Sequence, residues 1–277
     1  MIIQSINCRG QLISFDKPVI MGIVNATPNS FYANSRAANE HQAVAMAQAH
    51  LEAGATILDI GAVSTRPNAE IPDEKTELER LVPLVKAINR AFPQAVLSVD
   101  TFRAKVLAAA FDVGASILND VSGTQLDPEL IPVAARLKVP YILMHFDGSL
   151  SDIHQRPKTE DLFLHIFDAL NQRIHQLQQA DIYDIVIDPG FGFNKSLEDN
   201  YLIFNRLEDF KALNQPLLVG ISRKSMVWKL LNSTPEDIIS ATTALHLQAL
   251  LKGANIIRTH DVKEVSQAIR LAEMLVK

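Results

Sequence analysis

Cysteine is nearly missing from this chain: Cys8 stands alone among 277 residues. A single thiol makes no internal disulfide and no zinc site of paired thiolates, and it fits a reducing compartment. A basic surplus is lacking too. With 26 Lys and Arg against 31 Asp and Glu, the formal net charge is -5. That leaves no broad positive field for nucleic acid, so a phosphate site has to be a local cluster of cations. No uninterrupted apolar run approaches the roughly 18 residues that cross a bilayer, and no basic-then-apolar segment at the N-terminus reads as a signal peptide. The expectation is a soluble, cytoplasmic protein with small-molecule partners, no nucleic acid and no membrane. What is present is core-forming material, 48% hydrophobic residues. A single domain over residues 1–277 is expected, because α/β barrels of about 250 residues commonly form one.

The chain opens with short alternating stretches from Ile2 to Ser14 around Asn7-Cys8-Arg9-Gly10, which predict a hairpin that plugs or caps rather than a site. From Pro18 a different rhythm sets in. Buried-strand runs end at Asn25, Asp59, Asp100, Asn119, His145, Asp188, Ser222 and Arg258. Helical patterns lie between them, over about 40–53, 73–92, 103–113, 128–137, 160–179, 197–210, 235–252 and 262–275. Eight strand-then-helix units without a meander predict a (β/α)8 TIM barrel rather than an open doubly wound sheet.

The stretch Ile185 to Lys195, IVIDPGFGFNK, shows the pattern best: a β-branched run stops on Asp188, and Gly190 and Gly192 let the backbone turn sharply. Barrels of this kind place chemistry at the carboxyl ends of their strands. Asp100, Asn119 and Asp188 supply acceptors and one amide, and Lys224 supplies donors, a set that matches a flat heterocycle such as an aminopyrimidinone edge. Arg66, Arg258 and His260 read as a separate cationic group for a phosphate, with Arg258-Thr259-His260 just where the last helix begins. Each residue also has a plain reading: Asp100 and Asp120 serve equally well as helix N-caps, and Arg66 and Lys224 as solvated charges.

Over about Pro18 to Val262 the chain resembles the dihydropteroate synthases, the folate-pathway enzymes inhibited by sulfonamides. GIVNATPNSF, DIGAVSTRP, SVDTFR, ILNDVSG, LMH, IDPGFGF, GISRKS and ANIIRTHDV follow that family's order and spacing. The resemblance implies condensation of 6-hydroxymethyl-7,8-dihydropterin diphosphate with 4-aminobenzoate, with magnesium, in a homodimer for which Phe210, Leu247 and Leu251 are loose interface candidates. It also implies residue roles. Asp100, Asn119, Asp188 and Lys224 would hold the pterin, with Met144 and Phe193 beside it. Arg258, His260 and Thr65 would grip the diphosphate, and Asn25 would ligand magnesium. Phe31, Pro67, Ser222 and Lys224 would form the 4-aminobenzoate site, with Arg66 nearby. Lys224, Arg258 and His260 would be the catalytic residues, and the loops Ala26 to Asn39 and Ala62 to Asp73 would lie over the second site.

The first loop departs from the family pattern TPDSFSDGG, reading Asn29 and Ala33 at the two acids and Asn34-Ser35 at the glycine pair, and Asn68 replaces a glycine in the second. A slowed synthase or a non-catalytic pterin-binding paralogue is the alternative this raises. A methyltetrahydrofolate-dependent methyltransferase is the other, since it shares the pterin-end residues.

Overall fold

Runs of Ile, Val and Leu that are buried on both faces build the central sheet. The computed structural model describes residues 5–25, 36–62, 71–147 and 161–275. A hairpin of β1 (Ser5–Cys8) and β2 (Gln11–Ser14) comes first. Its turn falls at Arg9 and Gly10, with φ of 54° and 93°, the two left-handed residues that suit a two-residue hairpin loop. Eight parallel strands follow: β3 (Val19–Asn25), β4 (Ile57–Gly61), β5 (Val96–Asp100), β6 (Ile117–Asp120), β7 (Tyr141–Met144), β8 (Ile185–Asp188), β9 (Leu218–Val219) and β10 (Ile256–Thr259). They pair in the order β8-β7-β6-β5-β4-β3-β10-β9. A parallel bridge between Ile187 and Leu217 joins the two ends, so the expected barrel is what forms.

The helices between the strands are α1 (Arg36–Glu52), α2 (Glu74–Ala91), α3 (Ala104–Asp112), α4 (Leu130–Leu137), α5 (Leu162–Gln179), α6 (Leu197–Asn205), α7 (Ser225–Trp228), α8 (Ile239–Leu251) and α9 (Val262–Leu275). Local chemistry starts several of them. Asp73 accepts from Thr76 N at 2.7 Å at the head of α2, and Ser196 with Asp199 makes a reciprocal capping box at α6, each satisfying amides that the helix leaves open. Two expectations change. The predicted helix over 197–210 stops at Asn205, and a 3-10 helix, Leu207–Leu213, takes over. Leu207, Phe210 and Leu213 are all buried, and their spacing of three matches the three residues per turn of that helix. Phe210, packed on Phe163 with ring centroids 5.0 Å apart, is therefore core and not a dimer surface. The run expected to reach Ser222 pairs only at Leu218–Val219, because the chain turns at once: Lys224 N donates to Ile221 O, and Arg223 has φ of 57°.

Period-two alternation explains the interior. Met21, Ile57, Val96, Ile117, Ile142, Val186, Leu218 and Ile256, one from each strand, form a single apolar cluster with Ile6, Cys8, Ile13 and Phe15. The hairpin thus plugs the amino end of the barrel, as its sequence predicted. Burial, with Asp184 nearby, pushes the Cys8 thiol up to about 12, so it packs as an inert side chain. Two residues further along each strand, the inward positions become Ile23, Asp59, Ser98, Asn119, Met144, Asp188, Gly220 and Arg258, most of them polar or charged. An apolar floor therefore carries a polar layer.

His246 on α8 is a buried group away from that layer, 1% exposed, and its Nε2 has no hydrogen-bond partner. Burial holds its imidazole down from 6.5 to about 4, against a small opposing pull from Asp261. A depressed folded pKa means the unfolded chain binds the extra proton, so this stability is present above pH 6.5 and lost as pH falls through 4. His246→Leu is expected to reduce the loss of stability between pH 7 and pH 4.5 by about 2–3 kcal/mol. Urea unfolding at the two pH values measures it, and an unchanged loss would contradict the assignment.

Candidate active site

The carboxyl end of the barrel is shaped first by the turn after β8. Gly190 and Gly192 have φ of 72° and 79°, and a Cβ on Gly190 would lie 2.2 Å from the His145 carbonyl oxygen. Only glycine fits there. Gly190 N donates to Asp188 Oδ1 at 2.8 Å, and Asn200 Oδ1 accepts from Gly192 N at 2.7 Å. Lys224 lies across this turn: its Nζ donates to the Phe191 carbonyl and sits 4.8 Å from the Phe193 ring centroid. Asp188, Phe193 and Lys224 are thus brought together as the sequence predicts, and Met144 is paired beside Asp188 in the ladder. Lys224 is half-buried and bonded, so the solvated-charge reading does not apply to it.

At the centre of the polar layer is one guanidinium. Arg258 Nε donates to Asp59 Oδ2 at 2.7 Å, and Arg258 Nη2 reaches Asp59 Oδ2 at 2.7 Å and Asp100 Oδ2 at 3.1 Å. Asn119 Nδ2 donates to the same Asp59 oxygen at 3.1 Å. The expected division into an acceptor group and a separate cationic group is therefore corrected. Arg258 stands at the same inward register as Asp59 and Asn119, so the barrel's own geometry makes it part of the acceptor ring. Asp59 was not among the predicted site residues. Its signal was an acid between Leu58 and Ile60 inside a buried strand, wholly buried at 0% exposure.

Asp100 caps no helix. The amide at the head of α3, Ala104 N, is taken by Asp127 Oδ2 at 2.8 Å. Asp120 caps no helix either: it closes the turn after β6, accepting from Ser122 N, Ser122 Oγ and Thr124 N, and also from the Tyr141 hydroxyl, while α4 begins only at Leu130. On the opposite rim Ser222 Oγ lies 3.1 Å from His260 Nδ1 and accepts from His260 N at 3.2 Å, so these two predicted residues also meet. Phe31, Thr65, Arg66, Pro67 and the altered loop positions Asn29, Ala33, Asn34 and Asn68 lie outside the described residues.

The mouth holds its charges in tension. Burial raises the Asp100 carboxyl to about 7, with Arg258 pulling the other way and Asp59 adding to the rise. Burial likewise lifts Asp188, against Lys224, and lowers Lys224 to about 8, against Asp188. These are groups that a polar ligand can relieve by supplying hydrogen bonds and charge. For a hard cation, Asn25 Oδ1 and Asp100 Oδ2 lie 3.5 Å and 3.7 Å from where a Cβ on Gly61 would be. Both are oxygen donors, the kind of ligand that magnesium takes.

The family model described as pterin binding enzyme matches residues 21–260. The chain is 39% identical over 267 residues to the dihydropteroate synthase of Escherichia coli (strain K12), covering 96% of this chain and 94% of that one. Among solved structures, Yersinia pestis dihydropteroate synthase in complex with a sulfonamide drug is similar at a TM-score of 0.91 and 38% identity, over 98% of this chain and 99% of that chain. The Xanthomonas albilineans dihydropteroate synthase in complex with 7,8-dihydropteroate is similar at 0.87 and 33%, over 98% of both chains.

Removing Asp59 should expose how much the guanidinium depends on it. Asp59→Ala leaves Arg258 with Asp100 alone, and the expected cost is about 3 kcal/mol of stability, read by urea unfolding. A variant as stable as the parent would mean that Arg258 is not held by this carboxylate.

Proposed function

The chain belongs to the pterin-binding enzyme family, and on that premise we propose how its barrel mouth condenses 6-hydroxymethyl-7,8-dihydropterin diphosphate with 4-aminobenzoate. The reaction is a transferase step of folate biosynthesis. The arylamine nitrogen bonds to the pterin methylene carbon, the bond from that carbon to diphosphate breaks, and the amine loses a proton. The observation that carries the reading is the bonded group in which Arg258 reaches Asp59 and Asp100 and Asn119 donates to the same Asp59 oxygen, with Lys224 laid across the turn that follows Asp188.

Asp100, Asn119 and Asp188 accept from the ring's N–H groups, Lys224 donates to its carbonyl, and Met144 and Phe193 line the ring. Arg258, His260 and Thr65 bind the diphosphate and stabilise its charge as it leaves. Phe31, Pro67, Ser222 and Lys224 are assigned to 4-aminobenzoate binding, with Arg66 as a further cation for that substrate. A neutral arylamine needs no strong base, so no side chain is asked to activate it. Asn25 would hold magnesium through its amide oxygen, and the ion when bound would add positive charge beside the departing diphosphate.

A homodimer through α8 and α9 fits their exposed apolar residues: Leu251, Leu271, Met274 and Leu275 are 37% to 67% exposed, and the two helices pack together. No helix among the described residues is long and apolar enough to cross a membrane. Sulfonamides are expected to compete with 4-aminobenzoate, as the drug complex of the Yersinia relative suggests.

A coupled assay tests the activity: diphosphate should be released only when both substrates are present. Asp188→Ala should weaken binding of the pterin diphosphate by about 2–4 kcal/mol, because ring donors would be left unpaired in a buried site. Titration calorimetry measures that loss, and affinity within about twofold of the parent would remove Asp188 from the pterin pocket.

A further inference from the structure

Next to the β8 turn, on the outer side of the pterin wall, three side chains that the condensation does not use converge on one point. His145 follows β7, Asp147 lies two residues further on, and His165 sits in the first turn of α5. Their donor atoms all fall within 4.8 Å of one another. Asp147 Oδ2 is 2.8 Å from His165 Nε2 and 3.3 Å from His145 Nε2. The two rings meet edge to face with centroids 5.9 Å apart, so both nitrogens aim at the carboxylate rather than stacking past it. His145 supplies the second, independent sign. Its side chain is 3% exposed, and Nε2 is buried without a hydrogen bond, the 3.3 Å approach to Asp147 being too poorly aligned to count as one. A buried, unpaired imidazole nitrogen costs free energy and calls for a ligand.

We propose that His145, Asp147 and His165 form a binding site for a zinc-class divalent cation, separate from the magnesium position at Asn25. Two imidazoles and a carboxylate are ligands that zinc takes with a water in the fourth place, whereas magnesium prefers oxygen alone. Metal–ligand bonds of 2.0–2.1 Å put tetrahedral ligand atoms about 3.3–3.4 Å apart. The separation of His145 Nε2 from Asp147 Oδ2 is already 3.3 Å. The 2.8 Å separation of His165 from Asp147 has to widen by about half an ångström, and the two imidazole nitrogens, within 4.8 Å of each other, have to settle at the tetrahedral separation. The cation takes the place of the hydrogen bond between His165 Nε2 and Asp147, the imidazole proton of His165 moving to Nδ1.

Each ligand is held by a different part of the fold. His145 N donates to Asp188 O at 2.8 Å, Asn194 donates its side-chain amide to the Asp147 carbonyl, and the capped start of α5 carries His165. Lys195 Nζ, 3.3 Å from His145 Nδ1, is the nearby opposing charge. It already reaches Phe193 O at 3.1 Å and can stay there when Nδ1 bears the imidazole proton. Asp147 and His165 are 23% and 38% exposed, so the fourth position opens to solvent and gives the ion a way in. A bound cation would link the two flanks of residues 148–160 beside the strand end that carries Asp188.

Cobalt titrated into metal-free protein, with magnesium in saturating excess, tests this by its visible spectrum. One equivalent should bind with the intense bands of four-coordinate cobalt, and zinc should bleach them. His165→Gln and Asp147→Asn should each weaken this binding by about tenfold or more, while Asn25→Ala leaves the bands in place. His165 and Asp147 are partly exposed, so both variants are expected to fold, which circular dichroism checks independently. Absence of four-coordinate bands in the parent protein, or bands of equal affinity in the two folded variants, would overturn the site.

Discussion

A guanidinium taken below the surface of a barrel is the constraint on which this mouth depends. Arg258 is 19% exposed at its side chain and Asp59 is fully buried. Charges so placed lose most of their hydration, and their mutual attraction has to offset that loss. Burial opposes the charge on Arg258, and Asp59 and Asp100 restore it, holding its pKa above the ordinary value. Asn119 then has its amide pinned to Asp59, and Asp100 is drawn towards the axis. Three predicted pterin or diphosphate residues, Asp100, Asn119 and Arg258, are thus oriented through Asp59, for which no contact with substrate is proposed.

The same tension separates stability from function. The Asp100 carboxyl at about 7 and the Lys224 ammonium at about 8 are both less content in the folded protein than in water. A scaffold selected for stability alone would fill these positions with apolar groups, as the floor one layer below does with Ile57, Ile117 and Val186. Buried ionic layers are maintained where a ligand exploits them, and the ligand proposed for this one would bring ring donors and a diphosphate.

How much of this was legible in the sequence varies by residue, for physical reasons. Strand ends were readable because a buried apolar run that stops on an acid or amide is a strong local signal. Asp188 and Asn119 come from that pattern, and so does the barrel itself, while Lys224 is read from the cations just beyond the run that ends at Ser222. The strand that carries Asp59 is legible but the role of Asp59 is not, because which face a side chain takes depends on register with strands distant in sequence. Arg258 was assigned to a separate cluster for the same reason: proximity to α9 in sequence suggested the helix start, while period-two alternation turns it inward to a carboxylate 199 residues away. The break of the 197–210 helix into α6 and a 3-10 turn is likewise set by packing, with Phe210 inserted against Phe163. The pairing of His145 with His165 needed the return of α5 to the end of β7, which no local motif announces.

The claim that one network positions the substrate-binding groups is tested most directly by a double-mutant cycle on Asp59 and Arg258, with kcat/KM for the pterin diphosphate as the readout at saturating 4-aminobenzoate. If Asp59 acts through the guanidinium, Asp59→Ala loses most of its effect once Arg258→Ala is present, and the coupling is on the order of 1.5–3 kcal/mol. Losses that simply add, with coupling under about 0.5 kcal/mol, would show that the two residues act independently and would contradict the account.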